Sequence, residues 1–143
     1  MKHVCDAPPY AWFRIETLGE AASESRNMRH AVEKYYQKAY DKAAATYKPP
    51  QSAAVFEQNI GREEHIQRIM PIFVTLRDSD GKALITAMLP PQGYDEDDMC
   101  PIIVGVENTD PYMQYEDAIE VLAVHYGLLL ERRLCYPYAH RSA

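Results

Sequence analysis

Residues 71–89 contain two runs of apolar and β-branched residues on either side of the turn sequence Asp78-Ser79-Asp80-Gly81. Glycine readily adopts the left-handed conformation that the last position of a three-residue hairpin loop requires. The segment therefore predicts a β-hairpin in which Asp78 pairs with Lys82. Counting outward from that pair predicts that the core face carries Leu76 opposite Leu84, Val74 opposite Thr86 and Ile72 opposite Met88.

The remaining elements are predicted from the spacing of apolar residues. Besides the hairpin strands at 71–78 and 82–90, we expect strands near 10–18 and 101–107. Apolar residues at three- and four-residue steps predict helices near 23–47 and 111–131, and a short helix within 52–69 that bends near Gly61. This order of elements is typical of an α+β fold. We expect one domain, 1–143, built as two layers with a mostly antiparallel sheet.

Charge is unevenly distributed along the chain. Residues 83–131 contain ten acidic residues and no Lys or Arg, whereas the whole chain has a net charge of −6. A surface with a strongly negative potential attracts cationic partners and repels phosphate groups. This segment therefore indicates binding of a positively charged partner.

The predicted helix 111–131 and the loop 94–98 locate that acidic surface. On a helical wheel the apolar stripe consists of Ala118, Val121, Leu122, His125, Leu128 and Leu129, with Glu116, Glu120 and Glu131 opposite. We expect the partner to contact Asp95, Asp97, Asp98, Glu116 and Glu120. The favoured hypothesis is a small acidic binding or regulatory protein that recognises a cationic protein surface or a small cationic ligand.

Two alternatives remain open. In the first, the chain is an enzyme for a small cationic metabolite, an amine or a sulfonium compound. His125 lies within the apolar stripe, where we expect burial or a pocket wall, and with Glu107 it would be the candidate catalytic residue. In the second alternative, the chain is a ligand-sensing module with a pocket between the sheet and the helices.

No cofactor and no metal site are predicted. The six glycines do not cluster into a phosphate-binding loop or a dinucleotide fingerprint. The order of elements is similar to that of N-acetyltransferases of the GNAT class, whose acetyl-CoA site uses a glycine-rich turn before a helix. Residues 107–111 read Glu-Asn-Thr-Asp-Pro at that position. Two carboxylates and no glycine there are unsuited to a pyrophosphate group.

Three isolated cysteines and the absence of a long apolar run predict a cytoplasmic protein that does not bind a membrane. The first predicted helix carries a row of basic side chains, Arg26, His30, Lys34, Lys38 and Lys42. Because the rest of the chain is strongly acidic, we expect no nucleic-acid binding. The basic row could instead meet the acidic surface of a second copy and give a homo-oligomer.

Overall fold

The structure is a computed structural model, and it describes residues 1–51, 54–91 and 99–140. Within these residues the elements are β1 (Lys2–Ala7), β2 (Tyr10–Arg14), α1 (Leu18–Met28), α2 (Val32–Ala44), α3 (Val55–Ile69), β3 (Ile72–Arg77), β4 (Ala83–Leu89), β5 (Ile102–Gly105) and α4 (Tyr112–Tyr126). The strands form an antiparallel sheet in the order β1-β2-β3-β4-β5. The predicted α+β fold with an antiparallel sheet is confirmed.

The β3–β4 hairpin has the predicted turn but a different register beyond it. Gly81 has a φ of 81°, and the Asp78 N–H donates to the Lys82 carbonyl oxygen at 3.1 Å. A β-bulge between Leu76 and Arg77 then shifts the pairing by one residue. In place of the predicted partners Leu84, Thr86 and Met88, the residues Leu76, Val74 and Ile72 pair with Ile85, Ala87 and Leu89.

The first predicted strand, 10–18, is shorter than expected and has a neighbour that the sequence did not indicate. β2 ends at Arg14, because Thr17 already caps α1: its Oγ1 accepts a hydrogen bond from the Glu20 N–H at 3.1 Å. The N-terminal residues form β1, which pairs with β2 from Lys2 opposite Arg14 onward.

The predicted helix 23–47 is two helices. Arg29 has a φ of 55°, and its N–H donates to the Ser25 carbonyl oxygen, which ends α1 with a left-handed residue. The Ser25 hydroxyl accepts from the Glu33 N–H at 2.8 Å and so satisfies a free amide in the first turn of α2. The predicted short helix within 52–69 is present as α3, and it is continuous through Gly61.

Helices pack on both faces of the sheet, so the fold has three layers rather than the predicted two. Alternate residues of β3 point to opposite faces. On one face the α4-side core combines Trp12, Val74, Leu76, Ile85, Ala87 and Ile103 with Ala118, Ile119, Leu122 and Ala123 of α4. On the other, the α1–α3-side core combines Ile15, Ala21, Val32, Tyr36, Ala43, Ile66, Met70 and Phe73.

In the part of the chain that the structure describes, every helix is too short or too polar to cross a membrane.

Candidate functional site

A pocket of about 530 Å³ lies on the α1–α3 side of the sheet, beside the start of α2. Ile102 and Val104 of β5 pair with Met88 and Thr86 of β4, so these four side chains project to the same face. We call this space the His30 pocket. Its lining consists of His30, Ala31, Val32, Tyr35, Phe73, Thr86, Ala87, Met88, Cys100, Ile102, Val104, Asn108, Tyr136 and Pro137.

Behind the pocket lies a carboxylate that has no contact with water. Glu24 of α1 is 0% exposed. Its Oε1 accepts a hydrogen bond from Arg77 Nη2 at 2.5 Å, and its Oε2 accepts from the Thr86 hydroxyl at 2.6 Å. A buried carboxylate is tolerated only when it is paired and hydrogen-bonded, and both conditions are met here.

His30 connects this carboxylate to the pocket through Thr86. Because the Thr86 hydroxyl donates to Glu24, its oxygen accepts from His30 Nε2 at 2.8 Å. His30 Nδ1 accepts from the Val32 N–H at 3.4 Å. These roles assign the neutral tautomer with the proton on Nε2.

The protonation state of His30 agrees with that assignment. Burial lowers the pKa of His30 below its usual value, although a backbone hydrogen bond and the charge of Glu24 act in the opposite direction. The ring is therefore neutral at pH 7, and the carboxylate behind it is paired with Arg77.

An exposed ion pair links Arg29, the residue that ends α1, to the turn that follows β5. Arg29 Nη1 and Glu107 Oε1 are 2.7 Å apart, and both side chains are exposed. Glu107 and Asn108 occupy a 3₁₀ turn at Val106–Asn108 with positive φ angles of 57° and 61°. This turn places Asn108 in the pocket wall.

The predicted catalytic residues do not meet at one site. Glu107 pairs with Arg29, whereas His125 lies near the end of α4 and contacts the ring of Tyr126 edge-on at 4.8 Å. His125 is exposed, so the prediction that it is buried or in a pocket wall is wrong.

The burial pattern of α4 explains that error. Its fully buried residues are Tyr112, Ala118, Ile119, Leu122 and Ala123. The predicted stripe was centred too far round the helix, toward Val121 and His125. The helix also stops at Tyr126, because Gly127 has a φ of 67° and ends it. The predicted stripe residues Leu128 and Leu129 therefore lie beyond it.

The predicted acidic surface is described only in part. Asp95, Asp97 and Asp98 lie outside the described residues. Glu116 and Glu120 are exposed on α4, as expected, and neither they nor Asp117 form an ion pair within the described chain. Met113, one turn before them, is 97% exposed.

Sequence reasoning missed the group that the structure assembles around Glu24. The sequence places His30 in the row of basic side chains, because a single helix is predicted from residue 23 to residue 47, without a break at Arg29. Glu24 lies 53 residues from Arg77 and 62 from Thr86, so no local spacing connects them. The one available signal was Thr86, a polar residue inside an otherwise apolar strand.

Comparisons with models of protein families, with curated proteins and with solved structures find no match to this chain.

Proposed function

We propose that the chain is a small-molecule binding module whose ligand occupies the His30 pocket. The observation that carries the proposal is a pocket with mainly apolar walls and one polar corner, where His30 and Thr86 are held by the buried carboxylate of Glu24. Ligand sites usually combine apolar walls with a few well-placed polar groups, at volumes of roughly 300–1,000 Å³. A volume of about 530 Å³ falls within that range.

The hydrogen-bonding groups of the pocket favour a neutral ligand with a donor group. Glu24 and Arg77 neutralise each other, and His30 is uncharged. The Thr86 hydroxyl donates one hydrogen bond to Glu24 and accepts one from His30. Its oxygen therefore has one lone pair left for a donor group of a ligand. At the rim, the Asn108 amide and the Tyr35 hydroxyl make no hydrogen bonds within the described residues, so both are free for a ligand.

A pair of matched probes tests this proposal. Indole has a flat apolar body and one N–H donor, and 1-methylindole has the same body without the donor. We expect saturable binding of indole by isothermal calorimetry, and binding of 1-methylindole that is weaker by roughly threefold to tenfold, the effect of one hydrogen bond.

A pair of matched variants tests whether the probe lies in the His30 pocket. Val104→Trp fills the pocket from β5, whereas Val124→Trp adds the same side chain to the exposed side of α4. Indole binding should be lost in Val104→Trp and kept in Val124→Trp. Failure of indole to bind the native chain, or equal binding to both variants, would contradict the proposal.

The acidic surface supports a second candidate function, recognition of a cationic protein surface. The supporting observation is that Glu116, Asp117 and Glu120 are exposed and form no ion pair with any residue that the structure describes, next to Met113, which is 97% exposed. Carboxylates without partners attract basic groups, and that attraction is screened by salt. The proposed surface also includes the loop 94–98.

Charge reversal separates this second function from the first. The double variant Glu116→Lys and Glu120→Lys should lose salt-sensitive binding to a polylysine column while it keeps indole binding. The matched control reverses Glu57 and Glu64, two exposed glutamates of α3. Equal retention of the two double variants on the column would remove α4 from the candidate surface.

A cytoplasmic location, the absence of nucleic-acid binding and association of copies through the basic and acidic surfaces remain parts of this proposal. Within the described residues Cys5, Cys100 and Cys135 form no disulfide, which supports a reducing compartment. The enzyme hypothesis with His125 and Glu107 stays a prediction. Its test is whether His125→Ala abolishes turnover of an amine or sulfonium substrate.

A further inference from the structure

A second, smaller pocket lies away from His30, where the segment after β2 meets α2 and α3. Its volume is about 250 Å³. Of its polar residues, Glu16 and Thr17 come from the segment before α1, Tyr36 and Tyr40 from α2, and Glu63 from α3. None of these residues lines the His30 pocket. We call this space the Tyr36 pocket.

The hydroxyl group of Tyr36 is buried and has no hydrogen-bond partner within the described residues. Tyr36 is 1% exposed, and its ring packs against Phe73 at 5.0 Å. Burial raises the pKa of Tyr36, while the nearby Gln67 side chain and the charge of Arg14 act in the opposite direction. A buried hydroxyl without a partner is unfavourable, and a ligand in the pocket that donates a hydrogen bond would satisfy its oxygen.

Two carboxylates lie in the same wall. Glu16 is exposed and forms no ion pair within the described chain; only its backbone N–H is engaged, by Glu20. Glu63 accepts a hydrogen bond from the Tyr40 hydroxyl, and its nearest cation is Arg62 at 3.6 Å. The Arg62 and Glu63 side chains are 43% and 54% exposed, so this pair is weak.

The aromatic ring of Tyr40 already holds a cation. The guanidinium carbon of Arg62 lies 5.9 Å from the ring centroid, within the range of a cation–π contact. Arg62 also approaches Glu63, so its guanidinium group lies between a ring face and a carboxylate, the surroundings that suit a cation. Nearby Glu20 adds no free charge, since it pairs with the N-terminal ammonium group.

We propose that the Tyr36 pocket binds a compact primary ammonium group. Such a group has three N–H donors, and the pocket offers three acceptors: the carboxylates of Glu16 and Glu63 and the hydroxyl oxygen of Tyr36. The ring of Tyr40 contributes a cation–π contact once the cation displaces Arg62. A quaternary ammonium group would lack the donors that the Tyr36 hydroxyl and the carboxylates require.

The proposal is tested by NMR titration of the native chain with propylammonium chloride. We expect saturable shifts of the backbone amides near Tyr36 and Glu63. The neutral 1-propanol and sodium chloride at the same ionic strength should not reproduce them. Tetramethylammonium chloride should bind more weakly, because it donates no hydrogen bond.

Two substitutions locate the ammonium group. Tyr36→Phe removes only the unpaired hydroxyl and keeps the ring against Phe73, so the fold should be retained. Glu16→Gln removes one charge at the same size, and Glu57→Gln is its matched control on the exposed side of α3. Tyr36→Phe and Glu16→Gln should each weaken propylammonium binding roughly tenfold, the effect of one charge-assisted hydrogen bond, and Glu57→Gln should not.

Three results would overturn the proposal. The first is the absence of saturable binding by the native chain, which would leave the hydroxyl to water. The second is equal binding of propylammonium and 1-propanol. The third is unchanged affinity in both Tyr36→Phe and Glu16→Gln. None of these results bears on indole binding at the His30 pocket, because the two pockets share no lining residue.

Discussion

The two faces of the sheet differ in what they bury. On the α4 side, the sheet contributes apolar side chains, and backbone carbonyl groups accept hydrogen bonds from the large aromatic residues. Trp12 Nε1 donates to the Ala118 carbonyl oxygen at 2.8 Å, and the Tyr112 hydroxyl donates to the Leu130 carbonyl oxygen at 2.9 Å. On the α1–α3 side, the same strands bury Thr75 and Thr86, and α1 buries Glu24 against them.

This difference separates stability from function. Burial of apolar area stabilises the fold, whereas burial of a carboxylate, even a paired one, contributes little and is often less favourable than an apolar replacement. The chain places Glu24, His30 and a Tyr36 hydroxyl that has no partner within the described residues on one side of its sheet, and it gains little stability from them there. Apolar residues are buried on both faces and stabilise the fold. We therefore expect the polar residues around Glu24 on the α1–α3 side to serve ligand binding more than stability.

The largest expected effect is on the α4 side. Trp12 is fully buried, and its loss leaves a large cavity. Trp12→Ala should lower the free energy of unfolding by about 3–5 kcal/mol. Urea titration followed by circular dichroism measures this without the tryptophan signal. Met113→Ala truncates a side chain that is 97% exposed and should change stability by less than about 0.5 kcal/mol. A similar small loss in Trp12→Ala would contradict the assignment of this core.

The next largest effect concerns the Glu24–Arg77 pair. Glu24→Gln keeps the shape but leaves the Arg77 guanidinium without its charge partner, with the Arg77 side chain only 13% exposed. We expect a loss of about 3 kcal/mol in the free energy of unfolding. The same titration measures it.

A double variant shows whether that pair serves stability or the site. Glu24→Leu with Arg77→Met removes both charges, and we expect most of the lost stability to return. Indole binding should remain impaired, because Thr86 and His30 lose the carboxylate that orients them. If the double variant stayed as unstable as Glu24→Gln, the contrast between the two faces would not hold.

The hairpin shows how far local sequence determines this fold. The turn at Gly81 follows from the conformational freedom of glycine and was predictable. The register was not, because β3 is buried on both faces. An alternating pattern selects one register only where one face is solvated. The bulge leaves Leu84 without a residue opposite it in β3. By hydrophobicity alone, Leu84 and Ile85 are equally suited to pair with Leu76.

The site was less predictable than the fold. Arg29 is not a usual residue for a left-handed helix end, so the break that turns His30 toward Thr86 leaves no glycine or proline signal. The contacts of Glu24 with Arg77 and Thr86 depend on how α1 packs across the sheet. On α4, apolar residues lie on more than one side of the helix, so the sequence does not define which side is buried. The prediction that His125 is buried is wrong for that reason.

The smallest expected effect is the response of the α1–α3 side to pH. Because burial lowers the pKa of His30, the unfolded chain takes up a proton on this residue at a higher pH than the folded chain. The ordinary pKa of histidine is about 6.5. As the pH falls below that value, protonation of His30 in the unfolded chain lowers the free energy of unfolding. This decrease stops when the folded chain also binds the proton. The charge of Glu24, the acidic group on α1 that faces the ring through Thr86, reduces the effect without reversing it.

Urea titrations between about pH 7 and pH 5 measure this slope, above the range in which most carboxylates titrate. His30→Gln should show a shallower decrease in stability than the native chain. Met113→Ala, at an exposed position of α4, should show the same slope as the native chain. Equal slopes in His30→Gln and the native chain would mean that the ring is not held neutral by its surroundings. In that case, the polar corner that distinguishes the α1–α3 side from the α4 side would lose its central residue.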